Sequence, residues 1–368
     1  MRVGINTRSI LGSKMEGFGN YSFELVSRLT AAHPEHTFIL YFDRKIDVQF
    51  KFSSNVECRV LFPPTRHPIL YIIWFQWRLK KAIRKDLVDV FWSPDGMFPL
   101  KKKIPVLATI HDLNFEHYPK DLPRLVAWYY KKYFPRFAQQ SDKIITVSKT
   151  TKQDIITTYE VEENKIAVVY NGVNTRFKPL TDENKREIQK QFDKPFFIFV
   201  GSLHPRKNIH KLLEAFEIFT KTDSQSELLI VGASMWKNET FKLSDELAGR
   251  IKFLGHVPTD NLALLMAGAT ALVYVPYFEG FGMPLAEAMA SSTPIIAGNK
   301  SCLPEIAHNA ALYVDPFNHL EIADAMTLIK NDVALQSKLI QAGKERLKDF
   351  SWDLAAQQVW NEIENLVS

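Results

Sequence analysis

Short β-branched or aromatic runs alternate with helix-like segments along the whole chain, in two successive series. The first series predicts strands at residues 2–5, 37–41, 88–92, 106–110, 143–147 and 166–169. The second predicts them at 196–200, 227–231, 251–254, 271–275, 294–297 and 311–314. Strands recurring with helical patterns between them are βα units, which build parallel sheets. At 368 residues the chain is long enough for each series to form its own doubly wound, Rossmann-like sheet. In open sheets of this kind ligands lie beyond the C-terminal ends of the strands, so two such domains facing each other would form a cleft. The join is expected between Asn171-Gly172-Val173 and about Pro195, where Pro179, Thr181 and Asp182 interrupt the strand pattern and offer a hinge.

The balance of 46% hydrophobic and 24% charged residues excludes disorder and fits a soluble globular protein. No secretion signal is visible behind Met1-Arg2-Val3. Cys58 and Cys302 lie far apart without metal-ligand spacing, so a reduced compartment, the cytoplasm, and no structural zinc are expected. Charge is unevenly held: residues 1–180 carry 28 Lys and Arg against 17 Asp and Glu, and residues 181–368 carry 18 against 24. The basic half includes Arg78, Lys80 and Lys81, Lys101-Lys102-Lys103 and Lys131-Lys132, often beside Trp74, Trp77, Trp128, Tyr129 and Tyr130. Such runs are ordinarily solvated helix faces. The sharper reading is peripheral contact with an anionic membrane, at its inner face, that carries a lipid-linked acceptor. Residues 68–77, the most apolar stretch, fall short of the ~20 residues that span a bilayer. No nucleic-acid partner is expected.

Glu279-Gly280-Phe281-Gly282-Met283-Pro284-Leu285-Ala286-Glu287 follows the strand at 271–275. Its glycines permit a tight loop, and Pro284 suits the first position of a helix. A helix N-terminus there favours a phosphate. Glu279, ahead of the loop, can meet sugar hydroxyls. Glu287, expected in the first helical turn, can accept bonds from a ribose diol, although a glutamate there also stabilises a helix by itself. After the strand at 196–200 comes Gly201-Ser202-Leu203-His204-Pro205-Arg206-Lys207-Asn208, whose cations could meet a phosphate or merely line a solvated turn. Gly17-Phe18-Gly19 lies before an expected helix at 23–29, without the third glycine and distal acid of a dinucleotide fingerprint. His111, in Thr109-Ile110-His111-Asp112, ends a strand; Asp112 either orients the imidazole or caps the next segment. In the tail, Ser351 is a helix cap before an apolar stripe of Leu354, Ala355, Val359 and Ile363.

The run from Glu279 to Glu287 resembles the EX7E signature of family 4 of the retaining glycosyltransferases, near the bacterial mannosyltransferase branch. That resemblance implies the GT-B fold, with an N-terminal acceptor-binding domain at 1–175, a nucleotide-sugar donor domain at 190–348 and a crossover helix at 349–368 packing back on the first domain. It implies donor contacts at Gly17, Gly19, Gly201, Arg206, Lys207, Glu279, Gly280, Phe281, Gly282, Met283 and Glu287. It further implies catalytic roles for Glu279, His111, Arg206 and Lys207. Ser202 stands where several relatives have Arg, and Glu305 in Ser301-Cys302-Leu303-Pro304-Glu305 is expected to help hold the loop. In the family's scheme the leaving phosphate oxygen takes the acceptor proton, with neither a covalent carboxylate nor a metal cofactor. GDP-mannose leads among donors and a glycan or lipid-linked molecule among acceptors, in surface polysaccharide synthesis. A non-hydrolysing sugar-nucleotide epimerase of the same fold and a catalytically idle nucleotide-sugar-binding protein are the alternatives.

Overall fold

The computed structural model describes residues 1–10, 17–47, 50–181, 183–184, 187–188, 192–233 and 244–367. The chain forms two compact units, unit 1 of residues 1–172 with 351–368 and unit 2 of residues 173–350. Part of the expected hinge, at residues 182, 185–186 and 189–191, lies outside the described residues.

In unit 1 seven parallel strands are β1 (Arg2–Asn6), β2 (Thr37–Phe42), β3 (Val56–Val60), β4 (Val90–Ser93), β5 (Val106–Ile110), β6 (Lys143–Thr146) and β7 (Ile166–Val168), in the order β3-β2-β1-β4-β5-β6-β7. The central strands are buried along nearly their whole length because helices cover both faces, so they read as continuous apolar runs. The strand missing from the sequence reading is β3. Val56-Glu57-Cys58-Arg59-Val60 lies at the sheet edge, half-exposed, and carries charges that pair Arg59 with Glu57 and with Asp86. An edge strand needs no apolar run, and charges discourage further pairing there.

The first long helix runs Gly17–Ala32, not 23–29, with Tyr21, Ser22, Leu25, Val26 and Leu29 on its buried face. A later helix continues from Pro68–Ile73 through a π-helical Trp74–Leu79 into Lys80–Lys85. The wider turn lets the adjacent Trp74 and Phe75 both enter the core, their rings 4.8 Å apart.

Residues 351–368 complete unit 1. Ser351 accepts from the Leu354 N–H at 3.3 Å and caps the helix Trp352–Asn365. Its buried stripe is Trp352, Ala355, Ala356, Val359, Trp360 and Ile363; Leu354, expected on it, points outward because it sits off that face. The stripe packs on the Gly17–Ala32 helix, and Arg28 Nε meets Asp353 at 2.7 Å. Gly172 is needed for this closeness, since a Cβ there would come within 2.1 Å of the Trp352 nitrogen. Burial of these side chains contributes about 1.5–3 kcal/mol for each large one, a sizeable share of a domain's net stability.

Unit 2 repeats the plan with β8 (Phe196–Val200), β9 (Glu227–Val231), β10 (Ile251–Gly255), β11 (Ala271–Tyr274), β12 (Ile295–Gly298) and β13 (Leu312–Val314), ordered β10-β9-β8-β11-β12-β13. The order reverses between β8 and β11, the position beside which open α/β sheets ordinarily place their ligands.

Candidate active site

The loop after β8 turns back at once. Gly201 has φ 152° and Gly232, after β9, has φ 145°; a Cβ on Gly232 would lie 1.9 Å from the Gly201 carbonyl oxygen, so only glycine permits this approach. His204 Nδ1 then accepts from the Arg206 N–H at 3.3 Å and caps the short turn Pro205–Lys207. The histidine left without a role in the sequence is thus a loop former. Asn208, at φ 61°, donates its side-chain amide to the Val275 carbonyl at 3.0 Å and the Pro316 carbonyl at 2.6 Å, which ties the loop to the ends of β11 and β13.

The loop after β11 meets it. The Tyr277 N–H donates to the Arg206 carbonyl at 3.1 Å, and the Arg206 guanidinium donates to the Phe278 carbonyl at 3.1 Å. Ser301, at φ 55°, brackets the backbone of Glu279: its hydroxyl accepts from the N–H at 3.2 Å and donates to the carbonyl at 2.6 Å. Glu305, expected to hold this loop, gives its backbone carbonyl to Arg346 at 3.0 Å.

These bonds place three donors around one carboxylate oxygen. Glu279 Oε1 is 2.5 Å from Arg206 and 2.5 Å from Lys207 Nζ, and the Tyr274 hydroxyl donates to it at 3.0 Å. Lys207 Nζ also donates to the Tyr274 oxygen at 2.7 Å. Glu279, Lys207 and Tyr274 are all buried. Burial alone would raise the Glu279 carboxyl, but Arg206 and Lys207 override it and hold it at about 2. Burial and then the Glu279 charge push the Tyr274 phenol well above its ordinary range. Tyr274 is the residue sequence reasoning missed. The signal was a single phenol ending an otherwise apolar strand, since a buried tyrosine hydroxyl needs a partner.

Gly282, at φ 82°, starts the helix Met283–Ala290; a Cβ there would come within 2.9 Å of Leu303. Pro284 is the second helical residue. Glu287 therefore lies in the second turn, not the first, because the helix begins at Met283. It is half-buried, and desolvation, weakly opposed by Lys207, pushes its carboxyl up to about 7. The Phe281 ring is buried against Phe350 at 5.4 Å, while Gly280 is buried in the turn and Met283 is half-buried.

The remaining expected residues belong to unit 1. Gly17 is exposed and Gly19 buried at the start of the Gly17–Ala32 helix. Between them Phe18, 51% exposed, lays its ring 4.6 Å from that of His111, and Tyr21 meets the imidazole edge-on at 4.6 Å. His111 Nε2 donates to the Pro94 carbonyl at 2.8 Å, which fixes the tautomer with Nδ1 as acceptor. Burial lowers its pKa against the opposing pull of Pro94, Asp112 and Asp95, so the ring is neutral near pH 7. Asp112 accepts from the Asn114 N–H at 3.0 Å, just ahead of the short helix Asn114–His117, and Pro94 orients the imidazole. The sequence also hid an ion pair at the crossing point of this sheet. Arg8, after β1, meets Asp95, after β4, at 2.7 Å, and Asn6 donates to Asp95 at 2.7 Å. Among the described residues, no group of three or more His, Cys, Asp or Glu side chains is placed to hold a metal ion.

Comparison with known proteins covers both units. Residues 15–177 match the family model described as Glycosyltransferase Family 4, and residues 181–346 match that of Glycosyl transferases group 1. The O-antigen chain mannosyltransferase RfbU of Salmonella typhimurium is 30% identical over 317 residues, covering 84% of this chain and 85% of its own. The O-antigen chain mannosyltransferase B of Escherichia coli is 26% identical over 368 residues, covering 94% and 95%. Among solved structures, sucrose-phosphate synthase of Thermosynechococcus elongatus superposes with a TM-score of 0.80 at 20% identity, covering 99% of this chain and 98% of that one. WaaG, a glycosyltransferase involved in lipopolysaccharide biosynthesis, superposes with a TM-score of 0.75 at 14% identity, covering 98% and 99%.

Proposed function

The chain belongs to glycosyltransferase family 4 and has the GT-B fold, and on that premise we propose that it moves mannose from GDP-mannose to a glycan or lipid-linked acceptor of a surface polysaccharide, with retention and without a metal. The sugar rests on the two O-antigen mannosyltransferases among its relatives. The roles rest on one observation: Arg206 and Lys207 converge on Glu279 where the strand order of unit 2 reverses, beside the start of the Met283–Ala290 helix.

Two cations converge on one carboxylate oxygen in a largely buried setting, where charge acts strongly on an anion. A nucleoside diphosphate gains negative charge as the bond from its β-phosphate oxygen to the sugar breaks. Arg206, Lys207 and the helix N-terminus stabilise that charge more than the ground state's, which lowers the barrier. The acceptor hydroxyl attacks the anomeric carbon on the face the diphosphate leaves, and its proton passes to the departing phosphate oxygen. Glu279 stays ionised throughout and so acts neither as acid nor as base; its Oε1 fixes the two cations, and Oε2 is the oxygen for a sugar hydroxyl. Glu287 accepts from the ribose diol. Gly17, Gly19 and the neutral His111 serve the donor sugar and acceptor from unit 1.

We further propose a cytoplasmic protein held at an anionic membrane by its basic N-terminal domain. Supporting this are the excess of cations over residues 1–180 and the exposed Trp77 and Trp128, the latter with Lys132 Nζ 4.8 Å from its ring. Among the described residues no helix is long and apolar enough to cross a membrane.

A panel of nucleotide-sugars tested by thermal shift identifies the donor, since a ligand of the native state alone raises its melting temperature. GDP-mannose should give the largest shift, and a larger one from a uridine nucleotide-sugar would replace it. Glu279→Gln and Lys207→Ala should then slow transfer with that donor; wild-type rates in both would end the assignment of roles.

A further inference from the structure

We propose that a second binding site lies at the opposite end of the unit 1 sheet from His111 and takes one anionic phospholipid of a bilayer, its phosphate on a ring of cations and part of an acyl chain in an apolar hollow. This deepens the membrane-contact reading above and rests on it.

A cavity of about 250 Å³ opens beside the first residues of β4 and β5. Phe91 and Val106, at the beginnings of these strands, line it, whereas His111 follows the far end of β5. A ligand here is therefore separate from anything bound at the C-terminal strand ends. The floor is apolar and mostly buried, with Ile83, Val88 and Ile104 beside the two strand residues. The rim is cationic: Lys80 and Arg84 from the helix Lys80–Lys85, and Lys101, Lys102 and Lys103 from the segment before β5. Lys102 is paired with Asp142. Among the described residues Lys80, Arg84, Lys101 and Lys103 have no carboxylate partner, so their charge is available to an anion.

Leu87 completes the mouth. It is 74% exposed and has φ 51°, directly after the helix Lys80–Lys85 and Asp86. That left-handed conformation is where glycine ordinarily ends a helix, and a Cβ-bearing residue adopts it at an energetic cost. The fold thus holds a bulky apolar side chain in strain and in water at the lip of an apolar hollow ringed by cations. One chemistry uses all three parts, an amphiphile with an anionic head, and a bilayer presents it to a surface. Inorganic phosphate would use the rim and leave the floor and Leu87 without a role.

Co-sedimentation with vesicles of phosphatidylglycerol in phosphatidylcholine tests this. The wild type should bind these and not pure phosphatidylcholine; no preference would remove the membrane reading and the site with it. Arg84→Ala/Lys101→Ala/Lys103→Ala should weaken binding about a hundredfold, at roughly fivefold per cation. Lys131→Ala/Lys132→Ala, outside the cavity, should weaken it only a few-fold. An equal loss per charge in both variants would mean diffuse attraction, which overturns the site and spares membrane contact. Leu87→Gly should weaken binding several-fold while the melting temperature holds or rises, so misfolding cannot imitate the result; unchanged binding in it counts against the hollow. Monomeric dihexanoyl phosphatidylglycerol should compete with the vesicles, and inorganic phosphate at the same concentration should not. Transfer to a water-soluble acceptor should be unaffected by the triple variant. Binding that appeared only with vesicles carrying a glycan-lipid acceptor would reassign the membrane contact to that substrate.

Discussion

Both units place a basic residue after their first strand and an acidic residue after the strand beside it, and join the two by an ion pair across the point where the strand order reverses. In unit 1 the pair is Arg8 with Asp95. In unit 2 it is Arg206 and Lys207 with Glu279. The first pair is neutral overall, its guanidinium 5.0 Å from the Tyr71 ring and 5.5 Å from that of Phe75, and its carboxylate is further satisfied by Asn6 and Ser93. The second sets two cations on one carboxylate oxygen. A bridge between two loops supports a fold in the first case; in the second, the additional lysine is what the proposed diphosphate contact rests on.

Arg8→Ala should cost about 3–5 kcal/mol of stability, because the Asp95 side chain, 7% exposed, would be left without its cation. Denaturant unfolding reads the loss, and a variant that folded normally yet transferred no sugar would make the first pair a site as well. Lys207→Ala should instead lower kcat about 10²–10³-fold, as when a charge-stabilising donor is removed, while Arg206 keeps Glu279 paired and the fold largely intact. Steady-state kinetics beside a melt separates the two outcomes.

Glu287 and Glu279 respond oppositely to pH. The Glu287 carboxyl is raised to about 7, so its contribution is fully present below the unfolded value of 4.5 and is lost as pH rises through about 7. Glu279, held at about 2, works the other way: its contribution is present above 4.5 and lost as pH falls toward 2. Replacing Glu287 by Gln should therefore stabilise the ligand-free protein at pH 8 by on the order of 1–2 kcal/mol and weaken nucleotide binding. Melts between pH 4.5 and 8 check it, and a variant with unchanged pH dependence would contradict the burial of that charge. The smallest effect belongs to Tyr274→Phe, which removes one hydrogen bond to Glu279 and one from Lys207; kcat should fall roughly fivefold with KM little changed.

Much of this was legible in advance, and the boundary of legibility is physical. Strands buried on both faces announce themselves as apolar runs, so twelve of the thirteen strands among the described residues are legible and the charged edge strand β3 is not. The glycines, the cations and the glutamates could be named because each residue type carries its chemistry alone. What each one touches could not be read. Tyr274, Asn208 and Ser301 act on residues brought near by the sheet, as when Lys207 reaches Tyr274 across 67 positions of sequence. The helix around Glu287 was shifted by part of a turn because a Gly-Met-Pro run fixes the neighbourhood of a helix start and not its residue.

The return of residues 351–368 to unit 1 also sets an order of events during synthesis. Unit 2 is one uninterrupted stretch and has all of its strands once residue 314 has emerged. Unit 1 starts first and finishes last: the buried face that Trp360 and Ile363 cover must wait for nearly the whole chain. Until then unit 2 has its strands while unit 1 lacks its covering helix, so substitutions in the Trp352–Asn365 helix are felt by the unit whose synthesis begins first.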